Sequence, residues 1–266
     1  MYSTFTLAYR YLMHWITASS GKGHGVHSPF VYEFVRNVLM QPSRDPRFNT
    51  IEAVRSHFLQ DHSTTLPIED RGAGSRISTS SVRSVSSIAR TALKSPQYAQ
   101  LLYRMIRYYT IDGVLELGTS LGITTRYLSA AQPKNGVTSI EGAPALAAFT
   151  AERLQKEGYD QVTVLTGDFS EHLERALSSM HGSKLIFMDG NHQYQPTMEY
   201  FHTIVRYINE EDILVVDDIH WSAEMEKAWE DLKKNERATC FVDLFFMGIV
   251  FFRKDFKEKQ CFAIRF

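Results

Sequence analysis

From residue 112 onward, short apolar runs alternate with amphipathic ones. GVLELGT, GVTSIEG, VTVLTGD, KLIFMDG and DILVVDDI are each followed by a stretch of helical periodicity, at 121–131, 144–157, 170–180, 195–208 and 222–236. Two-sided apolar strands separated by such helices predict a parallel sheet covered on both faces. The alternation stops after the fifth unit. ATCFVDLFFMGIVFFR holds two β-rich runs with no room for a crossover helix, so they pair antiparallel as a terminal hairpin. The predicted fold class is α/β, a Rossmann-like doubly wound sheet of seven strands with one reversed strand.

The first 110 residues follow another pattern. In HSPFVYEFVRNVLM, Ser28 can cap a helix and Pro29 can take its first position, with Val31, Phe34, Val35 and Val38 on one face. Ser95 and Pro96 repeat the device before Leu101, Leu102, Met105, Ile106 and Tyr109, and a further helix is expected around 82–93. At the N-terminus Phe5, Tyr9, Leu12, Trp15 and Ile16 fall at helical spacing, a face for packing on the body or, as a homodimer, on a second subunit. GKGHG at 21–25 and EDRGAGSRISTSS at 69–81 read as loops. The expected organisation is a helical extension over 1–110 and a ligand-binding core over 111–266.

Composition narrows the function classes. A formal net charge of −1 gives no general attraction to nucleic acid or anionic membrane. Cys240 and Cys261 have no metal-type spacing, which fits a reduced, cytoplasmic setting. No run approaches the roughly 18 apolar residues of a membrane span. The N-terminus lacks the basic start and compact apolar core of a signal peptide.

Ligands of doubly wound sheets bind beyond the carboxyl ends of the strands. The first strand ends in ELGTSLG, whose Gly118 and Gly122 permit a tight turn but do not form G-x-G-x-x-G, which disfavours a nicotinamide or flavin dinucleotide. The second ends in Glu141, able to accept both ribose hydroxyls. The third ends in GDF, where Asp168 can accept from an adenine amino group and Phe169 can stack on the ring. Each alone reads equally well as a cap or turn residue; in register together they point to an adenosine ligand.

The fourth and fifth strands end in Asp189 and in Asp217–Asp218. Neighbouring parallel strands lie about 4.8 Å apart, so the carboxylates would converge. They would repel by roughly 4 kcal/mol per close pair at intermediate dielectric. Protonation, cationic partners or a divalent ion resolves this, and oxygen ligands favour Mg²⁺, Mn²⁺ or Ca²⁺. The alternative is a cap at 222–236 and an Asp-Gly turn at 189–190. His192, three residues beyond Asp189, is a candidate general base or an exposed loop histidine. His220 reads as a positioning or surface residue.

Taken in order, VLELGTSLGITT, SIEG, GDF, MDGNHQY and VVDDIH resemble a class I S-adenosylmethionine-dependent methyltransferase over about residues 110–253, closest to metal-dependent O-methyltransferases of the catechol and macrocin types. The resemblance implies strand order 3-2-1-4-5-7-6. It places Glu116, Gly118, Ser120 and Thr124 around the methionine part of the cofactor, Glu141 on ribose, and Asp168 with Phe169 on adenine. It also makes Asp189, Asp217 and Asp218 the ligands of a divalent metal, Mg²⁺ first, and places a base at His192. VHSPF and RGAGS resemble bacterial methyltransferases of unassigned substrate. The implied reaction is O-methylation of a small-molecule hydroxyl.

Two other readings stand beside it. Residues 71–111 hold Arg71, Arg76, Arg83, Arg90, Lys94, Arg104 and Arg107 and no acid, a solvated face, an anion site or an RNA-binding stretch. An RNA methyltransferase would use that stretch, although the chain lacks an N/D-P-P-Y/F motif at the fourth strand. A protein that binds the cofactor without chemistry is the other. His24 and His27, an HxxH pair beside glycines, could close over a substrate or simply bond locally.

Overall fold

The computed structural model describes residues 1–19, 21, 27–42, 44–68 and 82–266. His24, the rest of GKGHG beyond Gly21, and the whole of 69–81 with Arg71 and Arg76 lie outside the described residues. In chain order the elements are α1 (Thr4–Thr17), α2 (Pro29–Phe34), which continues as a wider helical turn over Val35–Leu39, α3 (Arg47–Gln60), β1 (Thr65–Pro67), β2 (Val82–Ser84), α4 (Val85–Ala92) and α5 (Pro96–Tyr108). Alternation then begins with β3 (Gly113–Leu117), α6 (Ile123–Ala130), β4 (Val137–Glu141), α7 (Pro144–Lys156), β5 (Val162–Thr166) and α8 (Phe169–Ser179). It continues through β6 (Lys184–Met188), α9 (Tyr194–Tyr207), β7 (Ile213–Asp217) and α10 (Ala223–Leu232), and ends with β8 (Cys240–Asp243), β9 (Met247–Phe251) and β10 (Gln260–Ala263). Eight of the strands make a mostly parallel sheet.

The chain divides into two compact units, Met1–Pro42 with Ser183–Phe266, and Ser43–Gly182. The helical first third is thus shared between them. In the second unit β4 pairs in parallel with β3 on one side and β5 on the other. All five residues of β3 are buried, whereas β5 is only partly covered, as an outer strand should be. Phe48, Ile51 and Phe58 of α3, Val85 and Ile88 of α4, and Leu121, Ile123 and Tyr127 around α6 form its apolar core. β1 and β2, three residues each, pair antiparallel in a region read from sequence as helical without strong strands.

In the first unit β6 and β7 are parallel, and β9 runs antiparallel to both β7 and β8. The terminal hairpin is therefore as expected, and β7 and β9 are buried throughout. Gly248 of β9 makes room for Trp229: a Cβ there would meet the indole at 2.6 Å. One strand escapes the sequence reading, since β10 pairs in parallel with β8 after a charged connection.

Both proline helix starts occur, with Pro29 and Pro96 in the first turn, but neither the Ser28 nor the Ser95 side chain accepts a capping hydrogen bond. The apolar faces are as expected: Val31, Phe34, Val35 and Val38 are fully buried. α1 does not lay its apolar face on the body. Phe5, Tyr9, Leu12 and Ile16 are 84%, 58%, 54% and 60% exposed. The helix instead docks through Tyr2, Arg10, Tyr11 and His14, whose partners include Glu226 and a stacked Phe246. Among the described residues no helix is long and apolar enough to cross a membrane.

Candidate functional site

The carboxyl ends of β3, β4 and β5 hold one set of candidate residues. Gly118 leaves β3 with φ 104, where an L side chain is disfavoured, and its N–H donates to Ile140 in β4. Gly122 opens α6 with φ 70, and a Cβ there would lie 2.6 Å from Thr150 and 3.1 Å from Arg126. The loop between them is tied from several sides. Ser120, itself at φ 48, donates its N–H to Glu141 Oε2 at 2.8 Å, and its carbonyl accepts from Thr150 at 2.6 Å. Ala143 N–H donates to Glu141 Oε1 at 2.9 Å. Burial raises the Glu141 carboxyl above its ordinary range, and these backbone donors offset part of that rise.

Glu116 lies fully buried in β3. Its Oε2 accepts from Thr125 and Ser139, each at 2.6 Å, so the structure places it as the hub that joins β3, β4 and α6. Thr124 is buried in the first turn of α6. Asp168 caps α8, with Oδ1 accepting from the backbone and hydroxyl of Ser170 at 2.9 and 2.7 Å, and half-buried Phe169 begins that helix. The cap reading of Asp168 is thus realised, and it leaves the adenine role compatible, because a carboxylate has further acceptor positions.

Sequence reasoning missed Arg126. Its fully buried guanidinium binds Glu157 through Nε and Nη2 at 2.7 and 2.8 Å, and its Nη1 donates to the carbonyls of Leu121 and Gly122. An arginine in a helix that is buried all round is the signal that could have found it.

The second set sits at the ends of β6 and β7. Asp189, His192 and Asp217 each bring one ligand atom within 4.8 Å of the other two. His192 Nε2 lies 3.6 Å from Asp189 Oδ1 and 4.0 Å from Asp218 Oδ2. Asp217 is buried, whereas Asp218 is partly exposed and takes φ 53, its N–H donating to Phe246 at 2.7 Å. In the MDGNHQY turn the left-handed backbone falls on Asn191 (φ 56) rather than on the glycine, and Asn191 donates to the Tyr200 hydroxyl at 3.0 Å. Such strained positions cluster where side chains must be aimed. The carboxylate oxygens of Asp189 and Asp217, with Asp218 beside them, are the donors a hard divalent cation takes.

His220 is partly buried between two carboxylates. It lies between Asp243 at 2.8 Å and Glu226 at 3.1 Å; burial pulls its pKa down, but the two carboxylates raise it by more. Exposed His27 and Arg90 make no observed site, and burial lowers Arg104 to about 10. Arg83 is spent locally on Ser87 and Thr91.

Comparison with known proteins bears on the domain and the fold. Residues 115–219 match the family described as a methyltransferase domain. Over 135 residues the chain is 35% identical to a protein-L-isoaspartate O-methyltransferase of Protochlamydia amoebophila, covering 48% of this chain and 55% of that protein. It is 28% identical over 128 residues to a catechol O-methyltransferase of Niastella koreensis, covering 47% and 57%. The chain therefore spans just over half the length of these curated relatives. An O-methyltransferase from Bacillus cereus, solved in complex with SAH, shares the fold with a TM-score of 0.55 at 15% identity, over 84% of this chain and 97% of that one. The segment 115–219 is thus a methyltransferase domain, and the likeness supports S-adenosylmethionine as its cofactor.

Proposed function

We propose that the chain is an O-methyltransferase that acts on a small-molecule hydroxyl with the help of a divalent cation, Mg²⁺ first. The observation that carries the metal-assisted part is the convergence of Asp189, His192 and Asp217 at adjacent strand ends. Asp189, Asp217 and Asp218 would hold the cation. When bound, the cation lowers the pKa of an acceptor hydroxyl and S-adenosylmethionine offers its methyl on a sulfonium. The remaining roles belong to this chain. Glu141 receives ribose hydroxyls on the lone pairs that Ser120 and Ala143 leave. Phe169 presents a ring face to adenine, and the Gly118–Gly122 loop admits close approach of the backbone. His192 takes the hydroxyl proton at Nε2, so that the acceptor oxygen attacks as an anion.

The names of the two curated relatives carry protein L-isoaspartate and catechol, and both put the methyl on oxygen. The three acidic residues favour a hydroxyl that needs activation over a carboxylate that is already ionised. The test is release of the demethylated cofactor by the full chain with catechol or with an isoaspartyl peptide, with Mg²⁺ and with chelator. Mg²⁺-dependent turnover of the catechol is expected. Chelator-insensitive turnover of the peptide would overturn the metal and substrate parts, and cofactor binding without any turnover across a panel of hydroxyl compounds would overturn the activity.

A further inference from the structure

Among the described residues, one other group brings imidazole and carboxylate atoms together. His14 of α1, His220 beyond β7 and Asp243 at the end of β8 each place a ligand atom within 4.8 Å of the others. All three line a cavity of about 530 Å³, and all belong to one compact unit. We propose that His14 Nδ1, His220 Nε2 and the Asp243 carboxylate form a second cation site, for a borderline transition-metal dication of the Zn²⁺ class, with a coordination position open to the cavity. It is independent of the methyl-transfer reading.

The geometry already has the features that such a site requires. His220 Nε2 and His14 Nδ1 both face Asp243, at 2.8 and 3.7 Å. Each ring's other nitrogen faces an acceptor: His220 Nδ1 lies 3.1 Å from Glu226 Oε1, and His14 Nε2 lies 3.5 Å from the Ile264 carbonyl. A carboxylate or carbonyl behind an imidazole fixes its tautomer and turns the lone pair of the opposite nitrogen toward the metal. The outer groups are held in turn. Glu226 accepts from the Tyr2 hydroxyl at 2.8 Å and from Arg10 at 2.6 Å, and Asp243 Oδ1 accepts from the Phe245 N–H at 2.8 Å. Phe245 packs on both rings, stacked on His220 with centroids 5.0 Å apart and edge-on to His14 at 5.5 Å.

Two imidazoles with one carboxylate prefer zinc-class ions, unlike the oxygen-rich set at Asp189. The competing occupant is a proton: without metal, His220 closes an ion-pair network with Asp243 and Glu226. Bound metal would staple α1 to the ends of β7 and β8, in place of the apolar face that this helix leaves exposed.

The test is Zn²⁺ titration of the full chain by calorimetry, with Co²⁺ absorption as a second probe, in Asp189→Asn protein so that the other acidic group is weakened. One equivalent is expected to bind. His14→Gln and Asp243→Asn should each weaken it about 100-fold or more, and Glu226→Gln, which touches only the outer shell, about 10–100-fold. Zn²⁺ affinity unchanged in His14→Gln and Asp243→Asn overturns the proposal, as does a parent protein that takes up no Zn²⁺. Should those variants not fold, zinc-edge X-ray absorption of the one-equivalent complex decides. Two imidazoles and a carboxylate at about 2.0–2.2 Å are expected; a shell with one imidazole or none overturns it.

Discussion

At the ends of β3, β4 and β5 the carboxylates of Glu116, Glu141 and Asp168 accept hydrogen bonds of 2.6–2.9 Å from hydroxyls and amides of their own unit. At the ends of β6 and β7 the carboxylates of Asp189 and Asp218 meet His192 only at 3.6 and 4.0 Å. The first edge spends its charge on building a frame, which suits a ligand whose sugar and base are neutral. The second gathers negative charge around one imidazole, which suits a cation. Strand ends of one topology thus carry carboxylates in two settings, one tied into hydroxyls and amides and one beside an imidazole.

Four measurements would break or sharpen that contrast. The largest effect is expected from Asp189→Asn. Several kcal/mol of charge stabilisation at tenfold per 1.36 kcal/mol means turnover falling about 10³-fold, with cofactor affinity by calorimetry unchanged. Equal turnover would place the chemistry elsewhere. On the frame side, Glu157→Gln removes the carboxylate that balances buried Arg126. Urea unfolding should lose about 3 kcal/mol, the low end for breaking a buried pair, because Glu157 is partly exposed. Cofactor affinity should drop with it, since Arg126 also holds the Leu121 and Gly122 carbonyls.

Mg²⁺ should then separate the two edges. At a hundredfold excess over its Kd it should raise stability by about 2.7 kcal/mol, an increment absent in Asp189→Asn and retained in Glu157→Gln. A rise retained in Asp189→Asn would show that the ion sits elsewhere. The smallest change is expected from Gly122→Ala, where a left-handed backbone and the Thr150 methyl group oppose the new Cβ, at about 1–3 kcal/mol. Its thermal melt should fall while Mg²⁺ stabilisation persists.

Much of this was legible in the chain. The five apolar runs are strands because each is bounded by glycine or acid and followed by a 3.6-residue period, and Asp189 and Asp217 come together because parallel strands leave them no alternative. What escaped has physical causes. β10 is held only by long-range pairing to β8, which no local pattern announces. Arg126 reads as a surface residue until its partner 31 residues away is known. His14, His220 and Asp243 belong to three separate elements. Periodicity located the apolar face of α1 but not what the helix meets within its own unit, where its polar side faces Glu226 and Asp243. Asp189 and His192 were readable as neighbours, whereas the left-handed turn at Asn191 that aims the histidine was not.

Ser120, Asn191, Asp218 and Phe245 are non-glycine residues with φ between 48 and 71, each just beyond a strand's carboxyl end. Such backbone costs about 1 kcal/mol or more per position. A search for heat-resistant variants would accordingly converge on glycine at these places, and the hardiest survivors would be the poorest catalysts. Under the proposed reading, heat tolerance and the aim of the side chains at these strand ends would draw on the same few peptide units.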